Sequence, residues 1–196
     1  TTAVSRRLCR VHNFRVETTG VIPQDGAILV ANHLSYLDPI LIASHVRCTA
    51  VAKIEVKKWP LFGPALEGLG AIWVDRSDPM SGAAALLRAR RFLELGANVL
   101  AFPEGTTTFG DELLPFKRGL FGLARLLDRP VVPIALSFER RELCWVGDEL
   151  FVPHYVRTSS QASWRVGLHF GQPMDPRRYD SAAVFAEVAR SNLGAR

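Results

Sequence analysis

The residues best suited to chemistry are a histidine and an aspartate separated by four others, His33 and Asp38. His33 follows the apolar segment 27–31, and Asp38 stands directly before Pro39, where a helix can begin. A turn between them can bring the carboxylate back to one imidazole nitrogen, which fixes the ring tautomer and leaves the other nitrogen as a proton acceptor. The spacing therefore predicts a general base. The competing interpretation is an ordinary helix N-cap at Asp38 and a structural histidine.

A second polar group, Glu104, Gly105 and Thr106, follows the apolar segment 98–102. It can present a carboxylate, backbone N–H groups and a hydroxyl to a ligand. The competing interpretation is a tight turn in which glycine supplies a positive φ. Gly105 and Gly110 have the glycine spacing of a phosphate-binding loop, but two acidic residues follow Gly110 where that loop requires Lys and Ser or Thr. This difference excludes that kind of nucleotide site.

Three basic residues also lie beside apolar segments or predicted helices. Arg76 follows segment 71–74, and its guanidinium can form paired hydrogen bonds with a phosphate and keeps its charge. Lys117 and Arg118 directly precede a predicted helix. Each of these charges is also compatible with a solvated surface position, Arg76 as the partner of Asp75.

Short apolar segments alternate with helical patterns, which predicts a single α/β domain with a mixed, largely parallel sheet flanked by helices. The clearest strands are predicted at 27–31, 49–53, 71–74, 98–102, 131–138 and 164–170. A helix is predicted over about 79–95, with Asp78 as N-cap, and others over 119–127 and from Asp38. Three polar groups each follow a predicted strand: Asn32–Asp38, Asp75–Arg76 and Glu104–Thr106. Ligands of such sheets bind beyond the carboxyl ends of the strands, so these three groups are expected at one edge of the sheet.

Composition limits the classes of function. The 196 residues are 48% hydrophobic and 22% charged, typical of a globular chain, and no repeat or linker divides residues 1–196. The net charge of +5 favours anionic partners, but no dense basic run with interleaved aromatic residues indicates nucleic acid. The three cysteines are far apart, which suggests neither a disulfide framework nor a metal site. No apolar stretch approaches the length of a membrane-spanning helix.

Four blocks in order resemble the glycerolipid acyltransferase family that includes 1-acyl-glycerol-3-phosphate acyltransferase. They are Asn-His-Leu-Ser-Tyr-Leu-Asp at 32–38, Gly-Ala-Ile-Trp-Val-Asp-Arg at 70–76, Phe-Pro-Glu-Gly-Thr at 102–106 and Val-Pro-Ile at 132–134. Single blocks are weak evidence, whereas four in order at suitable spacing are specific. The resemblance covers a core of about 20–138 and implies the family's α/β fold for the whole chain.

The resemblance implies transfer of a fatty acyl group from acyl-CoA or acyl carrier protein to a lysophospholipid hydroxyl, with 1-acyl-glycerol-3-phosphate as the first expectation. His33 would deprotonate the hydroxyl, Asp38 would orient His33, and no acyl-enzyme, metal or redox cofactor would be involved. The implied acceptor-binding residues are Arg76, Glu104, Gly105, Thr106 and Lys117, and Pro133 would shape the acyl-chain or donor site. The implied location is the cytoplasmic side of a membrane, where the protein is peripheral or anchored by a segment outside this chain.

One residue departs from the family pattern. Family members with glycerol phosphate acceptors often have arginine directly after Glu-Gly-Thr, whereas this chain has Thr107. The missing arginine removes a charged hydrogen bond worth about 1.5–3 kcal/mol and so weakens phosphate recognition. An acceptor without that phosphate, such as a lyso-ornithine lipid, is therefore an alternative.

The sequence is also compatible with a serine hydrolase that uses Ser35 as nucleophile, and with an inactive lipid-binding protein. No Gly-x-Ser-x-Gly sequence supports the hydrolase.

Overall fold

Seven strands form one sheet in the structure, a computed structural model that describes residues 2–60, 62–161 and 163–194. The strands are β1 (Phe14–Gly20), β2 (Ile28–Ala31), β3 (Cys48–Lys53), β4 (Ile72–Val74), β5 (Asn98–Ala101), β6 (Val131–Phe138) and β7 (Trp164–Phe170). Their order across the sheet is β1-β7-β6-β2-β5-β3-β4. Neighbouring strands are parallel except β6 and β7, which are antiparallel. The predicted mixed, largely parallel α/β sheet is confirmed.

Helices cover both faces of this sheet. They are α1 (Thr2–Val11), α2 (Asp38–Ala43), α3 (Phe62–Gly68), α4 (Ser81–Glu94), α5 (Gly119–Leu127), α6 (Phe151–Ser159) and α7 (Ala182–Gly194). One hydrophobic core lies between the sheet and α1, α2, α3 and α6, and a second lies between the sheet and α4, α5 and α7. Burial on both faces explains why β2 and β5 consist entirely of buried residues.

The sequence predicted the central strands well because their apolar residues are continuous. The bounds of β6 and β7 match the prediction, and those of the other predicted strands differ by one residue. The edge strand β1 was not predicted, nor were α1, α3, α6 and α7. In β1, only Phe14 and Val16 are half-buried and the other residues are exposed, so its hydrophobic signal is weak.

The helix predicted over 79–95 begins later than expected, and Asp78 is not its N-cap. Met80 occupies that position, and α4 begins at Ser81. The Asp78 carboxylate accepts the Met80 N–H at 2.9 Å, and the Asp78 carbonyl accepts the Ser81 N–H at 3.1 Å. These bonds close a separate turn before the helix. Among the described residues, no helix is both long enough and apolar enough to cross a bilayer.

Candidate functional site

The site lies at the carboxyl edge of the sheet, where the central strands β2 and β5 end side by side. The turn after β2 carries His33, and the turn after β5 carries Glu104. Arg76 follows β4 on the same side because β2, β5, β3 and β4 are all parallel. The sheet therefore brings together polar groups that are far apart in sequence, as the sequence predicted.

His33 and Asp38 form a direct hydrogen bond, with 2.8 Å between Nδ1 and Oδ2. An ionised carboxylate can only accept, so Nδ1 carries the proton and Nε2, at the opposite ring edge, is a proton acceptor. The His33 side chain is 21% exposed, whereas the Asp38 side chain is completely buried. Solutes can therefore reach the imidazole but not the carboxylate. This geometry is that of a general base oriented by a buried anion.

The carboxylate of Asp38 also shapes the turn that carries His33. Its Oδ2 accepts the N–H of Leu34 at 2.7 Å and of Ser35 at 2.9 Å, in addition to His33. Asp38 is the first residue of α2, the N-cap position is Leu37, and no side chain caps this helix. The interpretation of Asp38 as an N-cap is therefore wrong, because the carboxylate is directed back into the turn.

Three residues of the segment after β5 contact His33 from other directions. The Phe102 ring stacks on the imidazole, with centroids 4.1 Å apart and an interplanar angle of 19°. Glu104 Oε1 accepts the backbone N–H of His33 at 3.0 Å, and the backbone N–H of Thr108 donates to the His33 carbonyl at 2.8 Å. The orientation of His33 is thus determined by contacts on its ring edge, ring face and backbone.

A cleft of about 410 Å³ opens beside His33. Its wall is mostly apolar and comes from both sides of the sheet, from the segment after β3 and from α3 and α4. Representative apolar residues are Val56, Trp59, Leu66, Ala85, Leu86 and Ala89. A cavity with an apolar wall and a few polar groups at one end is typical of a site for a small amphipathic molecule.

Two cations, Arg76 and Lys117, lie beside Gly105 at the polar end of this cleft. The Arg76 guanidinium donates to the Gly105 carbonyl. Gly105 has a φ of 77°, a backbone conformation that favours glycine, and a Cβ there would lie 2.6 Å from Nζ at the flexible end of Lys117. Thr106 and Thr107 also line the cleft. Two positive charges with hydroxyl groups nearby can bind an anionic group.

The family resemblance placed Glu104 and Pro133 at the substrates, but neither is among the described residues that line the cleft. Glu104 is 6% exposed, and its Oε2 accepts the N–H of Leu114 at 3.0 Å. Burial raises the pKa of its carboxyl, while the bonds from Leu114 and His33 act in the opposite direction. Pro133 borders a different cavity of about 670 Å³, together with Gly171 and Met174.

Several residues at the cleft were not singled out from the sequence. Tyr36 lines it, and the Tyr36 hydroxyl is 2.9 Å from Nδ1 of the buried His154. Burial raises the pKa of Tyr36 and lowers that of His154. Trp59 and Trp145 also line the cleft, and their rings lie 5.2 Å apart. Tyr36 lies within the block 32–38, so its position in the sequence could have indicated that it lines the site. No comparable sequence feature indicated Trp59 or Trp145.

Ser35, the nucleophile of the hydrolase hypothesis, is fully buried, and its hydroxyl accepts the Leu37 N–H at 3.5 Å. The preceding Asn32 has a structural contact with β6. Its amide donates to the Leu136 carbonyl at 2.9 Å and its Oδ1 accepts the Leu136 N–H at 2.8 Å. In the part of the chain that the structure describes, no three His, Cys, Asp or Glu side chains cluster as metal ligands.

This chain is similar to known proteins in sequence and in fold. A family model described as "Acyltransferase" matches residues 13–137. The lyso-ornithine lipid O-acyltransferase of Pseudomonas aeruginosa is 32% identical over 192 residues, which cover 94% of this chain and 73% of that protein. The 1-acyl-sn-glycerol-3-phosphate acyltransferase of Neisseria gonorrhoeae is 32% identical over 119 residues, covering 58% of this chain and 45% of that protein.

A solved structure shares the fold. The 1-acyl-sn-glycerophosphate acyltransferase PlsC of Thermotoga maritima matches this chain with a TM-score of 0.71. The match covers 99% of this chain and 77% of that one, at 22% sequence identity. At this identity the likeness establishes the architecture alone.

Proposed function

This chain belongs to the acyltransferase family, and from that membership we propose that it transfers a fatty acyl group from a thioester to the free hydroxyl of a lysolipid. The observation that carries the proposal is the His33–Asp38 hydrogen bond of 2.8 Å at the mouth of an apolar cleft. A lysolipid has a hydrocarbon chain, a hydroxyl and a polar head group. The apolar wall, the imidazole and the paired cations of the cleft match these three parts.

In the proposed reaction, His33 Nε2 takes the proton of the lysolipid hydroxyl while Asp38 stabilises the imidazolium. The oxygen attacks the thioester carbonyl carbon directly, forming the new ester bond through a tetrahedral intermediate. The carbon–sulfur bond then breaks, and the thiolate of CoA or acyl carrier protein takes the proton from His33. The enzyme returns to its starting state without an acyl-enzyme.

The head group of the acceptor is the finer part of the proposal. Arg76 and Lys117, which both lie beside Gly105, suit an anionic head group, and Thr106 also lines the cleft. Thr107 supplies no third cation, and the relative that covers 94% of this chain is a lyso-ornithine lipid acyltransferase. We therefore place lyso-ornithine lipid ahead of 1-acyl-glycerol-3-phosphate, which the two cations also allow.

We also propose that the protein works at the cytoplasmic surface of a membrane, because its acceptor is a lipid. Helix α1 supports this part of the proposal. It exposes Val4 and Val11, which are 56% and 67% accessible, beside the exposed Arg7 and Arg10. Apolar side chains flanked by arginine favour contact with anionic lipid.

The experiment is product identification by mass spectrometry. Purified protein is given acyl-CoA or acyl carrier protein as donor and a panel of lysolipids that includes both proposed acceptors. We expect an esterified lipid from at least one acceptor and no product from His33→Ala. The matched control is His45→Ala, which removes a half-buried histidine outside the cleft lining and should leave turnover near the wild-type rate. Undiminished turnover in His33→Ala contradicts the mechanism, and no product from any acceptor contradicts the function.

A further inference from the structure

We propose that Glu104 is a positioning residue for His33 and does not bind the acceptor. The inference rests on the proposed function in one respect, namely that His33 is the base. It changes the role expected for the third sequence block, which the family resemblance placed in the acceptor pocket. In this interpretation, residues of that block hold His33 in its orientation.

Both oxygens of Glu104 already have backbone partners. Oε1 accepts the N–H of His33 and Oε2 accepts the N–H of Leu114, each at 3.0 Å. The residue is 6% exposed and is not among the described residues that line the cleft. To bind the acceptor, the Glu104 carboxylate would have to turn from this nearly water-free position toward the cleft and leave both backbone N–H groups. An unpaired buried N–H is costly, which disfavours that movement.

The contacts of Glu104 join two segments that are distant in sequence. His33 precedes it by 71 residues and Leu114 follows it by 10. The Phe102 ring and the Thr108 N–H contact the same histidine from the same segment. Residues 102–108 thus contact the ring face, the N–H and the carbonyl of His33, while Asp38 contacts the ring edge. A base placed this accurately needs its backbone located as well as its ring.

Glu104→Gln tests the inference because it changes one atom that accepts into a group that donates. The new amide nitrogen faces a backbone N–H, either that of His33 or that of Leu114, and cannot accept from it. The matched control is Glu112→Gln, the same chemical change at an exposed residue of the same loop. Glu112 is not among the described residues that line the cleft.

Two readouts separate positioning from acceptor binding. We expect kcat of Glu104→Gln to fall on the order of 100-fold, the loss that a displacement of about 1 Å can cause. The factor should be equal for lyso-ornithine lipid and 1-acyl-glycerol-3-phosphate, with KM for each within about twofold of wild type. In protein labelled with 15N-histidine, the backbone amide signal of His33, assigned by its loss in His33→Ala, should shift in Glu104→Gln. Glu112→Gln should change neither readout.

A raised KM that depends on the head group, with an unshifted His33 amide signal, would overturn the inference. If the wild-type protein acylates no acceptor, the proposed function fails, but the shift of the amide signal still decides whether Glu104 positions His33. If Glu104→Gln does not fold, hydrogen exchange in the wild-type protein decides. The His33 amide should exchange slowly when the buried carboxylate accepts from it, and rapid exchange contradicts the inference.

Discussion

The substitution Asp38→Asn removes the charge beside His33 and leaves the shape of the site nearly unchanged. Oδ2 of Asp38 accepts three N–H groups, from His33, Leu34 and Ser35. Oδ1 is buried, and among the described residues it has no hydrogen-bond partner. The asparagine should therefore place its oxygen at the Oδ2 position and its amide nitrogen at the Oδ1 position. This orientation retains every existing bond and the tautomer of His33.

The loss of activity then measures the electrostatic part of catalysis. Imidazolium and carboxylate charges about 4 Å apart, at an effective dielectric constant of about 20, interact by about 4 kcal/mol. Replacing a charged hydrogen bond with a neutral one alone costs about 1–2 kcal/mol. Because each 1.4 kcal/mol is tenfold in rate, we expect kcat to fall by about 10³-fold and by no less than about tenfold.

The assay is initial-rate acyl transfer at saturating acceptor, with product quantified by mass spectrometry. Asp180→Asn, the same change at an exposed aspartate, is the control and should leave kcat unaltered. Asp38→Ala should lose activity and also stability, because three N–H groups lose their acceptor. A value of kcat for Asp38→Asn above a tenth of wild type, in a folded protein, would refute the assignment of Asp38 as the partner of the base.

Three further results are expected. Asn32→Ala leaves both the backbone N–H and the carbonyl of Leu136 unpaired. The free energy of unfolding, measured by urea titration, should therefore fall by about 2–5 kcal/mol, and a fall of less than about 0.5 kcal/mol contradicts this prediction. Thr107→Arg adds a charged hydrogen-bond donor at the cleft. The ratio of kcat/KM for 1-acyl-glycerol-3-phosphate to kcat/KM for lyso-ornithine lipid should therefore rise about 10- to 100-fold. An unchanged ratio is evidence that the head group does not bind beside Thr107. Burial raises the pKa of Glu104 above its ordinary 4.5, so its contribution to stability is complete below that pH and is lost as pH rises through the folded value. The difference in unfolding free energy between wild type and Glu104→Gln should therefore decline as the pH rises above about 4.5, and a rise contradicts the sign.

Local sequence was sufficient for the parts of the site that depend on neighbouring residues. The continuous apolar segments identified the central strands because burial on both faces leaves no room for alternation. The turn from His33 to Asp38 closes within five residues, so the pairing of imidazole and carboxylate follows from spacing and turn geometry. The order of the four blocks was enough to recognise the acyltransferase family before any contact was known.

The tertiary structure decided which distant groups meet and what each one contacts. Glu104 reaches the His33 N–H only because β5 lies next to β2 in the sheet, and Asn32 pairs with Leu136 because β6 lies on the other side of β2. Trp59 and Trp145 reach the cleft through packing between segments that no local pattern connects. Sequence patterns indicate which residues are apolar and which turns can form between residues that are close in sequence. The order of strands depends on the simultaneous burial of both faces of the whole sheet, so only the folded chain determines it.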